Sequence, residues 1–346
     1  MTNSPNPATS TKWAVLRSSP ASRICSGAMT LIGAALLAAP QFFGANVVQQ
    51  LTSLFIFVIL AMMWNALAGY AGLVSVGQQA FIGLGAYGTI LLSQWGVQPY
   101  LAMILAAVAA AALAAILSLL VLRLRGGQFA VGTWVVAEAI ALLVALDQGL
   151  GGTGTSLRGL NVYPREVRTA FTYWLTLGFT LLLVLLLFFL LRNRTGVALQ
   201  AIRDDEEVAA SLGVRVWPVK FALFVLAGFG CGAAGALTLA NTLFIQPQSI
   251  FGVQWSAYLI FMVLVGGLGT FEGPIIGAIL FFVVQYEFAD LGAWYLIGLG
   301  LIAITFALFL PRGLWSLIND RLHIRLLPVG YHLLYPRVRG PGRGGA

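Results

Sequence analysis

Long apolar runs separated by short polar stretches dominate this chain of 346 residues. We identify ten such runs. Most of them are near 20 residues, the length at which a helix crosses a hydrocarbon core of about 30 Å. They lie near 24–43, 50–68, 72–92, 100–122, 128–147, 173–191, 218–240, 250–268, 274–288 and 292–310. No alternation typical of strands is evident, so a β-barrel is not expected. The pattern predicts an all-α polytopic membrane protein.

Three of these segments, 72–92, 250–268 and 274–288, are either broken by glycine or short. Backbone that leaves the helix at membrane depth is tolerated where protein or a water-filled cavity surrounds it. We therefore predict about ten transmembrane or re-entrant helical segments, with glycine-broken helices among them.

Composition supports a membrane location. Only 9% of the residues are charged and 60% are hydrophobic, whereas about a quarter of the residues in soluble domains are charged. The mean hydropathy is +0.92. The net charge of +8 would suggest nucleic acid in a soluble protein. Here the basic residues lie between and after the apolar runs, so we interpret them as a topology signal and expect no nucleic-acid partner.

The basic residues set the expected orientation. With the N-terminus inside, all of the 19 lysines and arginines except Arg158, Arg165 and Arg168 fall on the inner side, as the positive-inside rule requires. Both termini are then cytoplasmic, and 250–268 with 274–288 form a re-entrant pair. The expected organisation is a cytoplasmic segment 1–23, a membrane domain 24–310 with an inner loop 192–217, and a cytoplasmic basic tail 311–346.

The N-terminal apolar run could also serve as a signal peptide. We prefer an uncleaved first span, because many spans follow and the run continues to Phe43. The two cysteines, Cys25 and Cys231, are far apart in apolar runs and are predicted to be buried thiols. Both histidines, His323 and His332, lie in the tail, so no metal site is predicted.

The inner loop contains a run typical of a short helix. Asp204 and Glu207 have the spacing of a capping box, and Asp205 and Glu206 would lie in a first turn, where the helix dipole favours acid. Gly213 suits a left-handed helix end. We predict a docking helix for a cytoplasmic partner; a solvated connector is the alternative. The predicted site, called the inner connector, comprises Arg203, Asp204, Asp205, Glu206, Glu207, Ala209, Ala210 and Gly213.

Two helix breaks are predicted from dense glycines, and polar Ser75, Gln78 and Gln79 at the first break are expected to face a cavity. The glycines assigned to the breaks are Gly72, Gly77, Gly83, Gly85, Gly266, Gly267, Gly269 and Gly273. By contrast, Gly228 and Gly232 share a helical face with a following small residue, where we predict close helix contact.

The source of energy is constrained by two observations. The only lysines, Lys12 and Lys220, do not follow glycine, so no phosphate-binding P-loop exists and any ATPase is another chain. Glu138 is the one acid near the middle of a predicted span, too little for a proton relay. It is either a structural hydrogen-bonding group or a group beside a pathway. No cofactor is expected on this chain.

Several stretches resemble the permease subunits of branched-chain amino acid ABC transporters. Glu207, Ala209, Ala210 and Gly213 resemble the Glu-Ala-Ala…Gly loop of importer permeases. The remaining similar stretches are 65–87, an early signature; 122–126, a short inner loop; 265–274, a late glycine motif; and 311–314, the ending. They occur in the family's order over roughly residues 45–316.

The resemblance, which is to the LIV-type permeases and their M-like subunit, implies a multi-pass subunit in a bacterial inner membrane. It implies transport of branched-chain or related amino acids, and a transport subunit rather than an enzyme. The implied partners are a second homologous permease, two cytoplasmic ATPase subunits that use ATP and Mg²⁺, an extracytoplasmic substrate-binding protein, and membrane lipid.

A pathway and a coupling route follow as hypotheses. The translocation pathway is predicted to involve Trp64, Asn65, Ser75, Gln78, Gln79 and Glu138. Closure of the ATPase pair would push on the inner connector as a rigid lever. Three other functions stay open: a permease for urea or short amides, an ion-coupled secondary transporter, and a membrane enzyme, which would lack an acid/base pair.

Overall fold

The computed structural model describes residues 14–16, 33, 35–147, 154–160, 162–310, 313–322 and 332–334. Helices account for nearly all of this part of the chain. They are α1 Ala45–Asn65, continued by a π-helical turn Ala66–Tyr70, α2 Gln78–Gln94, α3 Pro99–Val121, α4 Gly127–Leu146, α5 Arg165–Arg192, α6 Arg194–Asp204, α7 Glu206–Ser211, α8 Val216–Thr242, α9 Pro247–Ile250, α10 Gln254–Gly266, α11 Gly273–Phe288, α12 Ala293–Phe309 and α13 Gly313–Leu322.

Strands are few and short. In one pair, β1 Ala14–Leu16 lies antiparallel to β4 His332–Leu334. In the other, β2 Thr155–Ser156 lies antiparallel to β3 Phe244–Ile245, with Thr155 opposite Ile245. Two single-turn 3-10 helices, Arg158–Leu160 and Ala289–Leu291, complete the elements. The predicted all-α class is confirmed for the described residues.

Seven helices of the described residues are long and apolar enough to cross a membrane. They are Ala45–Tyr70, Pro99–Val121, Gly127–Leu146, Arg165–Arg192, Val216–Thr242, Pro247–Gly266 and Gly273–Leu291, and Trp294–Phe309 is a shorter apolar helix. The predicted number of about ten segments is therefore not confirmed.

The differences have local causes. Most of the predicted segment 24–43 lies outside the described residues, which show only a helical stretch at 35–42. The predicted segment 72–92 begins as non-helical backbone, and its helix starts only at Gln78. The two segments predicted as a re-entrant pair have 20 and 19 residues in the structure, and each is thus long enough to cross a membrane.

Helices α1 and α8 form the centre of the bundle. In their most apolar stretches 78% and 72% of the residues are buried, against 17% in α4 and 22% in α11. A helix that is apolar all round and mostly uncovered within its own chain faces lipid or another chain. The central helices are therefore α1 and α8, and α4 and α11 lie at the periphery.

Small residues bring α8 close to its neighbours, as predicted for its glycine face. Gly228 lies against Ala114 of α3, and Gly232 lies against Ala110 of the same helix. Gly235 faces the backbone carbonyl of Ile82 in α2. Because lipid is as apolar as a leucine side chain, such close backbone contact is a main source of helix association in membranes.

Candidate functional site

The inner loop 192–217 contains two short helices, α6 and α7, and the inner connector comprises the end of α6, all of α7 and Gly213. Asp205 has extended backbone, with φ −159°, and its carboxylate accepts hydrogen bonds from the N–H groups of Glu207 and Val208 at 2.9 and 3.0 Å. Asp205 is thus the N-cap. The prediction that Asp204 caps this helix is wrong, because Asp204 ends α6 and its carboxylate accepts two hydrogen bonds from Arg203.

Helix α7 ends where the sequence predicts. Gly213 has φ +84°, the left-handed conformation that glycine adopts without steric cost. Ala209 is buried against the bundle, whereas Ala210 is exposed. Val208 and Leu212 expose 53% and 77% of their surface. One face of the helix therefore packs on the chain, and the other presents apolar side chains outward.

Two ion pairs attach α7 to neighbouring elements. Glu206 accepts from the Nζ of Lys220 at 2.5 Å, and Lys220 is only 5% exposed. Glu207 pairs with Arg125 at 2.9 Å, but both side chains are largely exposed. Exposed pairs contribute about 0–1 kcal/mol. The Lys220–Glu206 pair, which joins α7 to α8, is therefore the firmer of the two attachments.

Arg203 joins the inner connector to the membrane helices. Its Nη1 donates a hydrogen bond of 3.0 Å to the backbone carbonyl of Gly69, in the π-helical turn that follows α1. The backbone of Gly72 approaches the same arginine, and so does that of Gly269. The connector thus touches both predicted helix breaks through one side chain.

Asn65 ties those two breaks to each other. Its Oδ1 accepts from the N–H of Gly269 and its Nδ2 donates to the carbonyl of Thr270, both at 2.8 Å. Asn65 is fully buried. The end of α1 is therefore fixed to the turn between α10 and α11 by two hydrogen bonds.

The second break is a compact glycine turn. Helix α10 ends at Gly266, and α11 begins at Gly273. Between them, Gly267 has φ +132° and Gly269 has φ +74°. Gly266 faces the carbonyl of Gly273, so a side chain would not fit. Gly313 packs on Gly267 from beyond the last span.

The first break is shorter than predicted. Non-helical backbone includes Gly72 and Gly77, whereas Gly83 and Gly85 lie inside the continuous helix α2. Gly83 packs under the ring of Phe251, and Gly85 packs on the carbonyl of Gly232. Their assignment to a break is therefore wrong, since their small size serves close helix contact.

The polar residues of the first break are buried between helices. The indole N–H of Trp64 donates to the carbonyl of Ser75 at 2.9 Å. Gln78 accepts from the thiol of Cys231 at 3.2 Å. Cys231 is a free, buried thiol, and Cys25 lies outside the described residues.

Gln79, next to Gln78, accepts from the hydroxyl of Ser256 at 2.7 Å. The Nε2 atoms of Gln78 and Gln79 have no hydrogen-bond partner in the part of the chain that the structure describes. The structure thus brings the predicted pathway residues together on α1, α2 and their link. Their role in a pathway stays a prediction.

Glu138 is separate from these residues. It lies on α4 and is exposed, with no hydrogen bond to any described residue. The interpretation as a hydrogen-bonded glutamate of the bundle interior therefore finds no support within the described chain. A position beside a pathway stays a prediction.

The structure also contains a cavity that the sequence analysis missed. It has a volume of about 660 Å³ and lies between α1, α8, α10 and α11. Its lining residues are Asn46, Gln49, Gln50, Ser53, Ile56, Phe57, Thr238, Asn241, Thr242, Trp255, Phe282, Gln285, Tyr286 and Ala289. The sequence does contain an indication of this cavity, because Asn46, Gln50 and Ser53 follow helical spacing and form a polar stripe in an apolar span.

The cavity and the Arg203 junction lie at opposite ends of the bundle. Gln49 and Asn65 are near the two ends of α1, which is roughly 30 Å long. Asn241 lies in the last turn of α8, and the first turns of that helix lie beside α7. Helices α1 and α8 therefore connect the two places.

Long apolar helices with polar junctions at both ends define a multi-pass helical membrane protein. The chain belongs to the family described as branched-chain amino acid transport system / permease component, whose model matches residues 46–311. It is therefore a transport permease.

Two relatives are high-affinity branched-chain amino acid transport system permease proteins LivM. The chain is 27% identical to the protein of Escherichia coli strain K12 and 26% identical to that of Salmonella typhimurium. Each alignment covers 83% of this chain and 74% of the relative. No solved structure matches the chain.

Proposed function

We propose that the chain is a transmembrane subunit of an ATP-driven importer for branched-chain or related amino acids. Family membership and the two LivM relatives support this substrate class. The chain has no P-loop, so ATP hydrolysis belongs to two separate cytoplasmic subunits. A second homologous permease and an extracytoplasmic binding protein complete the proposed assembly, which uses ATP and Mg²⁺ only through the ATPase subunits.

The proposed orientation places the inner connector in the cytoplasm of a bacterium and both termini on the same side. The distribution of arginine and lysine supports it. The exposed face of α7 is then available to an ATPase subunit, with Val208 and Leu212 outermost. The opposite end of the bundle, with its large cavity, faces the extracytoplasmic side.

The observation that carries the coupling proposal is the hydrogen bond from Arg203 to the carbonyl of Gly69. In this proposal, a displacement of α7 is transmitted through the end of α6 to Arg203, and from Arg203 to the π-helical turn that follows α1. Asn65 passes it on to the glycine turn between α10 and α11. Both breaks would then move together, which biases the bundle between two states.

Charge reversal at Glu207 tests the coupling role. Glu207→Lys loses the exposed pair with Arg125, which is worth little, so the chain should fold. It should lower ATP-driven leucine uptake several-fold while a purified importer still hydrolyses ATP. Uptake into proteoliposomes and phosphate release, measured together, check this.

A charge swap separates docking from the internal pair. If Glu207 acts on an ATPase subunit, the double variant Glu207→Lys with Arg125→Glu should stay impaired. Restoration of uptake by the swap would show that only the internal pair matters, and it would count against the docking role. Glu166→Lys, at the other end of the bundle, is the matched control and should leave coupling unchanged.

Purification tests the assembly itself. A tagged chain should bring down a soluble ATPase from its native membrane. An ion-coupled transporter would bring down none, and its uptake would collapse with the ion gradient. Competition by leucine but not urea would support the amino-acid class over short amides.

A further inference from the structure

Two cavities adjoin at the end of the bundle opposite the inner connector. The larger, about 660 Å³, falls within the range of about 300–1,000 Å³ that small-molecule sites occupy. The smaller has a volume of about 230 Å³. Both are lined in part by Gln49, Asn241 and Thr242, so these three residues form the boundary between the two cavities.

The two cavities differ in chemistry. The smaller is lined by two arginines, Arg165 and Arg168, which lie near the start of α5. The larger has no charged residue in its lining and contains a group of apolar side chains. These are Ile56, Phe57, Trp255 and Phe282. A cationic wall thus adjoins an apolar one across a strip of amides.

The Gln49 amide of this strip has a fixed orientation. The Nε2 of Gln49 donates to the carbonyl of Asn241 at 3.0 Å, and the Nδ2 of Asn241 donates to the hydroxyl of Ser53 at 2.9 Å. Rotating the Gln49 amide by 180° would set its oxygen against that carbonyl, so the nitrogen must face it. The side-chain oxygens Oε1 of Gln49 and Oδ1 of Asn241 accept no hydrogen bond from the described residues.

The arginines are not explained by topology. Arg165 and Arg168 are two of the three basic residues that depart from the positive-inside pattern. Arg165 donates one hydrogen bond, at 2.8 Å, to the Oδ1 of Asn46. A guanidinium has five N–H donors, so Arg165 retains donors for a carboxylate, its preferred partner.

We propose that this composite site binds an amphipathic zwitterion, with the carboxylate at Arg165 and Arg168. The ammonium group lies at the amide oxygens of Gln49 and Asn241. The aliphatic side chain lies over Ile56, Phe57 and Trp255. This inference rests on the proposed function only for the direction of transport. In an importer, this site is the place where the permease receives substrate from the extracytoplasmic side.

Protection of an engineered cysteine tests the site in the purified full-length chain. Gln50 lines the larger cavity and is half-buried, so Gln50→Cys in a Cys25→Ser background reports on occupancy through its rate of maleimide labelling. Leucine should slow the labelling. Leucinamide, which lacks the carboxylate, and 4-methylpentanoate, which lacks the ammonium group, should each need roughly tenfold higher concentration or more. Gln94→Cys, at an exposed position outside the cavity, should show no protection.

The arginines are tested as a pair with matched charge. Arg165→Gln with Arg168→Gln should raise the protective leucine concentration roughly tenfold or more, whereas Arg165→Lys with Arg168→Lys should raise it less. Absence of leucine protection, or equal protection by 4-methylpentanoate or leucinamide, overturns the proposal. An unchanged leucine concentration in the glutamine pair overturns it as well.

The same preparation separates this inference from the importer proposal. If leucine protects Gln50→Cys but no ATPase copurifies and uptake needs no ATP, the importer proposal fails and the site stands. If ATP-driven leucine uptake occurs without protection, the site fails and the importer stands. A loss of affinity for a binding protein alone, with leucine protection unchanged in the arginine variants, would assign the arginines to a protein surface instead.

Discussion

At the scale of single residues, Asn65 has the most consequences for the fold. Its two hydrogen bonds of 2.8 Å reach a backbone donor and a backbone acceptor on a turn about 200 residues away in the chain. Both groups belong to a turn whose residues Gly269 and Thr270 are partly buried. A side chain of similar size without the amide would fill the space but leave both groups unpaired.

Asn65→Leu should therefore lower the stability of the chain. Each lost hydrogen bond costs about 0.5–1.5 kcal/mol, so the thermal unfolding midpoint in detergent should fall by a few degrees. Gln94→Leu is the control, because Gln94 is exposed and makes no hydrogen bond with the described residues through its amide. Equal midpoints for the two variants would show that the Asn65 bonds contribute nothing.

Prediction from the sequence succeeded where the signal was local. Gly213 ends α7 because its conformation depends on its own backbone, and the acid-rich first turn of α7 depends on neighbours within four residues. The cap was misplaced by one residue because Asp204 and Asp205 are both able to cap, and Arg203 binds the first of them. That choice depends on tertiary contacts of the arginine.

At the scale of elements, the packing of α2 on α8 depends on glycine at both surfaces. Gly85 lies against the carbonyl of Gly232, and Gly235 lies against the carbonyl of Ile82. Dense glycine in a sequence is common to broken helices and to close helix pairs. Gly83 and Gly85 were therefore assigned to a break, although they lie in an unbroken helix.

Gly85→Val should separate α2 from α8 and lower the yield of folded chain severely, because the added carbons meet backbone that cannot move alone. Gly178→Val is the matched control, since Gly178 is also within a long helix but has open space where a side chain would start. Size-exclusion profiles of the two purified variants check this. A monodisperse Gly85→Val chain at normal yield would contradict the predicted contact.

At the scale of the whole molecule, the larger cavity was not predictable from the sequence. Its wall depends on hydrogen bonds between Gln49 and Asn241, which are 192 residues apart. The polar stripe of α1 gives one side of the cavity, but nothing local indicates that the end of α8 lies opposite. The same limit applies to the junction of Arg203 with Gly69, at a separation of 134 residues.

Glu138 is an exposed acid in one of the helices that are long enough to cross a membrane. It lies on α4, whose most apolar stretch is only 17% buried within the chain, and a charged side chain at the centre of a membrane helix costs roughly 2.5–3.5 kcal/mol. Glu138→Leu should therefore insert at least as well as wild type. Uptake should fall if the residue lies beside the pathway.

Membrane yield and uptake per inserted molecule measure the two effects of Glu138→Leu separately. Glu138→Gln is the control, because it retains hydrogen bonding without charge. Normal uptake in both variants would remove Glu138 from the pathway and leave a tolerated surface residue.

The side-chain amides at both ends of α1 have a further consequence for its length. Gln49 attaches one end to α8, and Asn65 attaches the other to the glycine turn. One residue inserted between them would advance the helix by about 1.5 Å and rotate one end by about 100° relative to the other. Only one attachment could then keep its partner, so the number of residues between the two amides is fixed by geometry as firmly as either amide itself.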